Sequence, residues 1–143
     1  MTAPTAARLL TWLAALNGAL ATLALVAVVM PTRWMEAGAA WTGVGAFPDT
    51  TLTQYLVRST SALYALLGIL MLYLARDVRR HLDLLAFIGC LTVALGAILT
   101  ILDFAIGMPA SWSWGEGPPT VLVGGALVWL ARRASREPRN AGS

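Results

Sequence analysis

Lysine is absent from this chain: all ten basic residues are arginine, and charged residues make up only 12% of the whole. The single cysteine, Cys90, excludes an internal disulfide and a CxxC redox pair, and its position inside an apolar run marks it as a small buried hydrophobe. The single histidine, His81, stands with Asp83 beside a charged turn, and one imidazole with one carboxylate does not make a metal site. It also leaves hydrolysis by a serine, histidine and acid without its base near any other polar cluster. No glycine-rich phosphate cradle occurs. The net charge of +3 would suit a nucleic-acid binder if it were clustered on a soluble surface, but the arginines flank apolar runs, which excludes nucleic acid and points to orientation in a bilayer. Nothing in the composition implies a cofactor or a catalytic group.

What the chain has in abundance is hydrocarbon, with 58% hydrophobic residues gathered in runs of membrane-spanning length. The expectation is one all-α domain over 1–143, an integral membrane four-helix bundle of up-down-up-down topology. Its spans are placed at about 9–30, 52–75, 82–106 and 118–132, with a disordered tail over 134–143. The first run is about twice the length of a signal-peptide core and lacks a small-x-small cleavage site, so it reads as a retained helix ended by Pro31. Asn17 and Gly18, with Ala14 and Ala21, read there as a close-packing face first and a polar site second. The connection 31–50 carries Trp34, Met35, Trp41 and Phe47 among small residues, a composition suited to a short interfacial helix or lid, and equally to a plain loop. The third connection, 107–119, holds Trp112, Trp114 and Glu116 and reads as an interfacial belt.

Arginine placement sets the orientation. Arg8, Arg76, Arg79, Arg80, Arg132, Arg133, Arg136 and Arg139 fall on one set of ends, whereas the first and third connections together hold only Arg33. By the positive-inside rule both termini are cytoplasmic, as in a multi-pass protein of a bacterial inner membrane.

The second run carries Gln54, Arg58, Ser61, Ala65 and Gly68 on one helical face, and the third carries Gly89, Thr92, Gly96, Thr100, Asp103 and Gly107. These small, polar faces are expected to turn toward other helices, and two copies of the chain can pair on the same faces. Arg58 lies about 10 Å below the outer end of its run and Asp103 about 6 Å below the end of its own. Arg58 is the only formal charge in its run and Asp103 the only one in its own beyond Asp83 at the opposite end, and a guanidinium at the edge of hydrocarbon costs about 2.5–3.5 kcal/mol unless something answers it. Asp103 is the expected partner; alternatively, the second span starts at Ser59 and Arg58 reaches lipid phosphate. The candidate ligand-binding residues are therefore Arg58, Asp103, Glu116, Gln54, Ser61, Thr100, Trp112 and Trp114, with no catalytic residue and no metal ligand.

The plan of four short helices, with VRSTSALYALLGILMLYLARD in the second, LGAILTILDFAIGMP closing the third and WSWGEGP leading into the fourth, resembles the DoxX-like superfamily of small bacterial membrane proteins. The resemblance rests on Arg58, Asp103, Gly107 and Pro109 and spans most of the chain. Some members are associated with a thiosulfate and quinone oxidoreductase or with redox-linked membrane complexes, so it implies a role as a membrane partner. Two functional expectations follow. One is a non-enzymatic accessory component that takes a membrane-protein partner or a small lipophilic ligand. The other, from the resemblance alone, is a subunit of a membrane oxidoreductase or quinone-handling complex. A transporter is a distant third, since no broken helix or mid-membrane acid is evident.

Overall fold

The computed structural model describes residues 2–43 and 45–136. All regular structure among them is helical: α1 (Ala3–Thr22), α2 (Leu25–Val29), α3 (Thr32–Thr42), α4 (Thr51–Ala75), α5 (Leu82–Ile106) and α6 (Ala110–Ala134). Three stretches are long and apolar enough to cross a membrane, Ala3–Val29, Thr51–Ala75 and Leu82–Ile106. Only 11–17% of their most apolar windows is buried inside the protein. Leu16, Leu20, Leu66, Phe87, Ile98 and Ile101 all point outward. Such a surface is unfavourable in water, and hydrocarbon satisfies it.

The first helix begins earlier than the sequence suggests, at Ala3, with a proline in its first turn where a missing N–H costs nothing. It breaks at Leu23 and Ala24 and resumes as α2. The stop at Pro31 is as expected: Met30 is extended, the conformation that a following proline imposes. The connection after it is a helix, α3, closed by Gly43 in the left-handed conformation. Met35 is buried, while Trp41 is 89% exposed.

The largest departure concerns α6. The sequence places a Trp-rich loop over 107–119, but the turn is only Gly107–Pro109 and the helix starts at Ala110. Gly107, at φ 75°, ends α5 in a Schellman motif: Met108 N–H donates to Asp103 O at 2.9 Å and Gly107 N–H to Phe104 O at 3.4 Å. Pro109 then caps the start of α6. Pro118 and Pro119 lie inside this helix, where proline is expected to end one. The expected tail over 134–143 lies almost wholly outside the described residues; only 134–136 are described, and Ala134 closes α6.

The packing partners also differ from the expectation. The small face of α4 meets α1 rather than α5, and the small face of α5 meets α6; α4 and α5 come together only through the core at one end. A Cβ on Gly68 would stand 2.5 Å from Thr22 N and 2.7 Å from Gly18 O. Across the other pair, a Cβ on Gly124 would stand 2.7 Å from Gly89 O, and one on Gly96 would stand 2.8 Å from Val121 N. Backbones approach this closely only where both helices offer small residues, and it is α1 and α6 that supply the complements. The contacts run antiparallel in each pair, and α1 joins the two pairs by packing on α6.

One end of the molecule is the better packed. Ala6, Leu10, Leu74, Val78, Leu85, Leu127, Leu130 and Ala134 form a continuous core where α1 and α5 start and α4 and α6 finish, the arginine-rich end. Toward the other end the α1–α4 and α5–α6 pairs no longer share such a core. Cys90 is exposed, not buried: it follows Gly89 in sequence but lies off the line on which Gly89 is pressed against Gly124.

Candidate functional site

Arg58 and Asp103 do not meet. The guanidinium of Arg58 is half-buried and donates from one nitrogen to Val28 O and from the other to Met30 O, the latter at 3.0 Å. Val28 belongs to the last turn of α2, whose carbonyls have no helical donors. The planar fork of arginine answers two of the carbonyls around this helix end, and its positive charge suits the negative end of the helix dipole. The partner that Arg58 requires is thus backbone, supplied by the end of the first span.

Asp103 is 5% exposed, and its Oδ2 has no hydrogen-bond partner among the described residues. The antiparallel register of Gly96 and Thr100 against Gly117 and Val121 carries Asp103 toward the turn of α6 that holds the fully buried Ser113. The separation from Arg58 follows the packing order: α4 packs on α1 and α2, whereas α5 packs on α6, so the two residues serve different helix pairs.

The remaining candidates divide in the same way. Gln54 donates to Asp49 Oδ1 at 2.6 Å at the exposed start of α4, and Ser61 is half-buried further along it. Thr100 donates to Gly96 O at 2.7 Å and packs against Gly117, so it serves the α5–α6 contact. Trp114 points outward and stacks edge-on against Phe104, ring centroids 6.4 Å apart. Only Trp112 and Glu116 line a common space. Trp112 Nε1 donates to Glu116 Oε2 at 2.5 Å, one helical turn away.

That space is a cavity of about 540 Å³ bounded by α1, α5 and α6. From α1 it takes Asn17, from α5 Thr92, and from α6 Trp112, Gly115, Glu116, Pro119 and Thr120. Asn17 and Thr92 lie near the middle of their membrane-length helices, and Ser111 to Thr120 spans about 13 Å along α6. The cavity therefore extends from the first turn of α6 to mid-depth.

Its polar groups share a character. Thr92 and Thr120 spend their hydroxyl hydrogens on Ile88 O at 2.8 Å and Glu116 O at 2.7 Å, which leaves their oxygens as acceptors. Pro119 has no N–H for Gly115 O, so that carbonyl loses its helical donor. Glu116 adds a carboxyl group, one oxygen of which is held by Trp112. Side-chain donors come only from Ser111 at the start of α6 and from Asn17 at mid-depth, apart from the Trp112 N–H already spent on Glu116; the Asn17 amide has no partner among the described residues. The wall is rich in acceptors, poor in donors, and has no basic residue.

Of the residues that line this cavity, Glu116 and Trp112 were among the candidates named from the sequence, and Thr92 and Thr120 were not. Asn17 ranked as packing, although an amide at mid-span was itself a signal. The prolines inside α6 could not be read as a source of acceptors once that stretch was taken for a loop. Among the described residues no cluster of histidine, cysteine and acid could hold a metal ion. Set against protein-family models, curated proteins and solved structures, the chain matches none.

Proposed function

We propose that this chain is a small multi-pass membrane protein, both termini cytoplasmic, whose role is to bind a small amphiphilic molecule in the cavity between α1, α5 and α6. In this reading α6 is a fourth span and the helices form an up-down-up-down bundle, which the antiparallel contacts and the arginine distribution support. The observation that carries the binding role is the acceptor-rich wall at mid-depth. Unanswered carbonyl, hydroxyl and carboxyl oxygens in a hydrocarbon layer are costly. A ligand bearing a hydroxyl or an amine offsets that cost, whereas an anionic ligand adds to it. The apolar body of the ligand lies along the membrane-facing helix surfaces, and the role is that of a non-enzymatic accessory component.

Membership of the DoxX-like superfamily is part of the proposal, resting on Arg58, Asp103, Gly107 and Pro109. Two of these positions also have a local reason, since Gly107 and Pro109 form the turn between α5 and α6.

The test is mass spectrometry of molecules that stay with the protein through purification in mild detergent. A hydroxyl- or amine-bearing amphiphile should accompany the wild type and be lost from Asn17→Leu and from Glu116→Gln while both variants stay folded. Equal retention by the variants, or retention only of an anion displaced by neither change, would overturn the assignment. An absorption spectrum showing flavin, haem or quinone would favour the oxidoreductase-subunit alternative.

A further inference from the structure

A second hollow lies at the arginine-rich end, on the outer side of the α5–α6 pair, and it is independent of the cavity described above. It has a volume of about 560 Å³. Its deeper wall is made by Val93 and Cys90 of α5 with Gly125 and Val128 of α6, and its rim by Trp129, Arg132, Arg133 and Arg136. Two features set it apart from a plain lipid-facing groove.

The first is charge. Three arginines, Arg132 and Arg133 in the last turn of α6 and Arg136 just beyond it, line one hollow, and none of the three forms an ion pair with a carboxylate among the described residues. The Arg133 guanidinium lies over the Trp129 ring, 5.6 Å from its centroid, which holds it at the level of an interfacial tryptophan. The second is Gly125. Its neighbour Gly124 is pressed against Gly89, but a Cβ on Gly125 would meet nothing within 4 Å. Helix packing therefore gives no reason for glycine at 125, and its effect is to deepen the floor of the hollow.

We propose that this hollow is a binding site for one anionic phospholipid, with the phosphate held by Arg132, Arg133 and Arg136 and an acyl chain lying over Gly125 between Val93 and Val128. Guanidinium groups match phosphate oxygens in geometry, and basic pockets at the cytoplasmic ends of membrane helices suit such headgroups. A free phosphate ion would use the rim and leave the apolar floor without a purpose, so the ligand is the lipid.

Native mass spectrometry of the full-length protein, incubated with phosphatidylglycerol and phosphatidylcholine of identical acyl chains, tests this. The wild type should keep one phosphatidylglycerol in preference to phosphatidylcholine. Replacing Arg132, Arg133 and Arg136 together by alanine should cut that preference about tenfold or more. Gly125→Leu, which keeps every charge and fills the floor, should cut retention as well. The triple alanine variant at Arg8, Arg76 and Arg80 removes the same charge elsewhere at this end and should bind as the wild type does. Equal loss in that control would reduce the effect to net charge and overturn the site. So would full retention by Gly125→Leu, or displacement of the lipid by millimolar inorganic phosphate.

Discussion

Arg58 shows how a single charge inside a helix of membrane-spanning length and composition is accommodated without an acid. Its fork takes the carbonyls of Val28 and Met30, so it joins α4 to the end of the first span and answers oxygens that the helix itself leaves free. Hydrogen bonds that involve a charged group contribute roughly 1.5–3 kcal/mol each, so Arg58→Met should cost about 2 kcal/mol or more. Arg58→Lys should recover only part of it, because an ammonium is a point donor and cannot match two carbonyls in a fork. Asp103, meanwhile, has an oxygen without a partner, and Asp103→Asn should change little. Because the two residues belong to separate contacts, the combined variant should equal the sum of the single effects within about 0.5 kcal/mol. Thermal unfolding of the four proteins in detergent measures this, and a large coupling would mean that the charges interact after all.

At the scale of the helices, glycine position matters more than glycine content. Gly124 and Gly125 are adjacent in sequence and opposite in role: a Cβ on the first would stand 2.7 Å from Gly89 O and Val93 N, while one on the second would face open space. Gly124→Ala must push α5 and α6 apart, since the obstacles are backbone atoms, and overpacking of this kind costs about 1–3 kcal/mol. Gly125→Ala meets no obstacle and gains helix propensity, so it should be neutral or stabilising by up to about 1 kcal/mol. Melting temperatures of the two variants should fall on opposite sides of the wild type, or leave Gly125→Ala level with it. If both fall equally, α5 and α6 do not pack through this face. The threonines at these contacts follow the same logic, since Thr22 and Thr100 each bond a carbonyl four residues back and so behave as small residues.

For the whole molecule, the antiparallel contacts collect Arg8, Arg76, Arg80, Arg132, Arg133 and Arg136 at the end that also holds the continuous core. The opposite end carries α3, the short α5–α6 turn and the first turns of α6 that line the cavity between α1, α5 and α6. On the proposed topology a reporter fused at the C-terminus should be cytoplasmic and one inserted at Ala46, after α3, should be exterior. Two reporters on the same side would show that the number of crossings between those points is even, which would remove α6 as a span and place the cavity wall at the membrane surface.

Membrane class, helical content and the faces on which helices touch were legible from residue order alone. Each of these depends on local quantities: the length of an apolar run, the three- and four-residue spacing of Ala65 and Gly68 or of Gly89 and Gly96, and the proline that ends the first span. What only the tertiary structure decided was which face meets which. The stripe on α4 is compatible with any small face, and the choice of α1 over α5 follows from Gly18 and Thr22 standing at the depth where Gly68 needs room. The site changed with that choice. Formal charges can be paired on paper, but the oxygens that answer Arg58 are uncharged carbonyls, and their availability depends on where a helix ends. The start of α6 was hidden for a related reason: tryptophans, glycines and two prolines have poor helix propensity, and packing against α5 outweighs it. Asn17, Thr92 and Thr120 lie on three helices at distant positions in the chain, and only the packing of α1 and α5 against α6 brings them around one cavity.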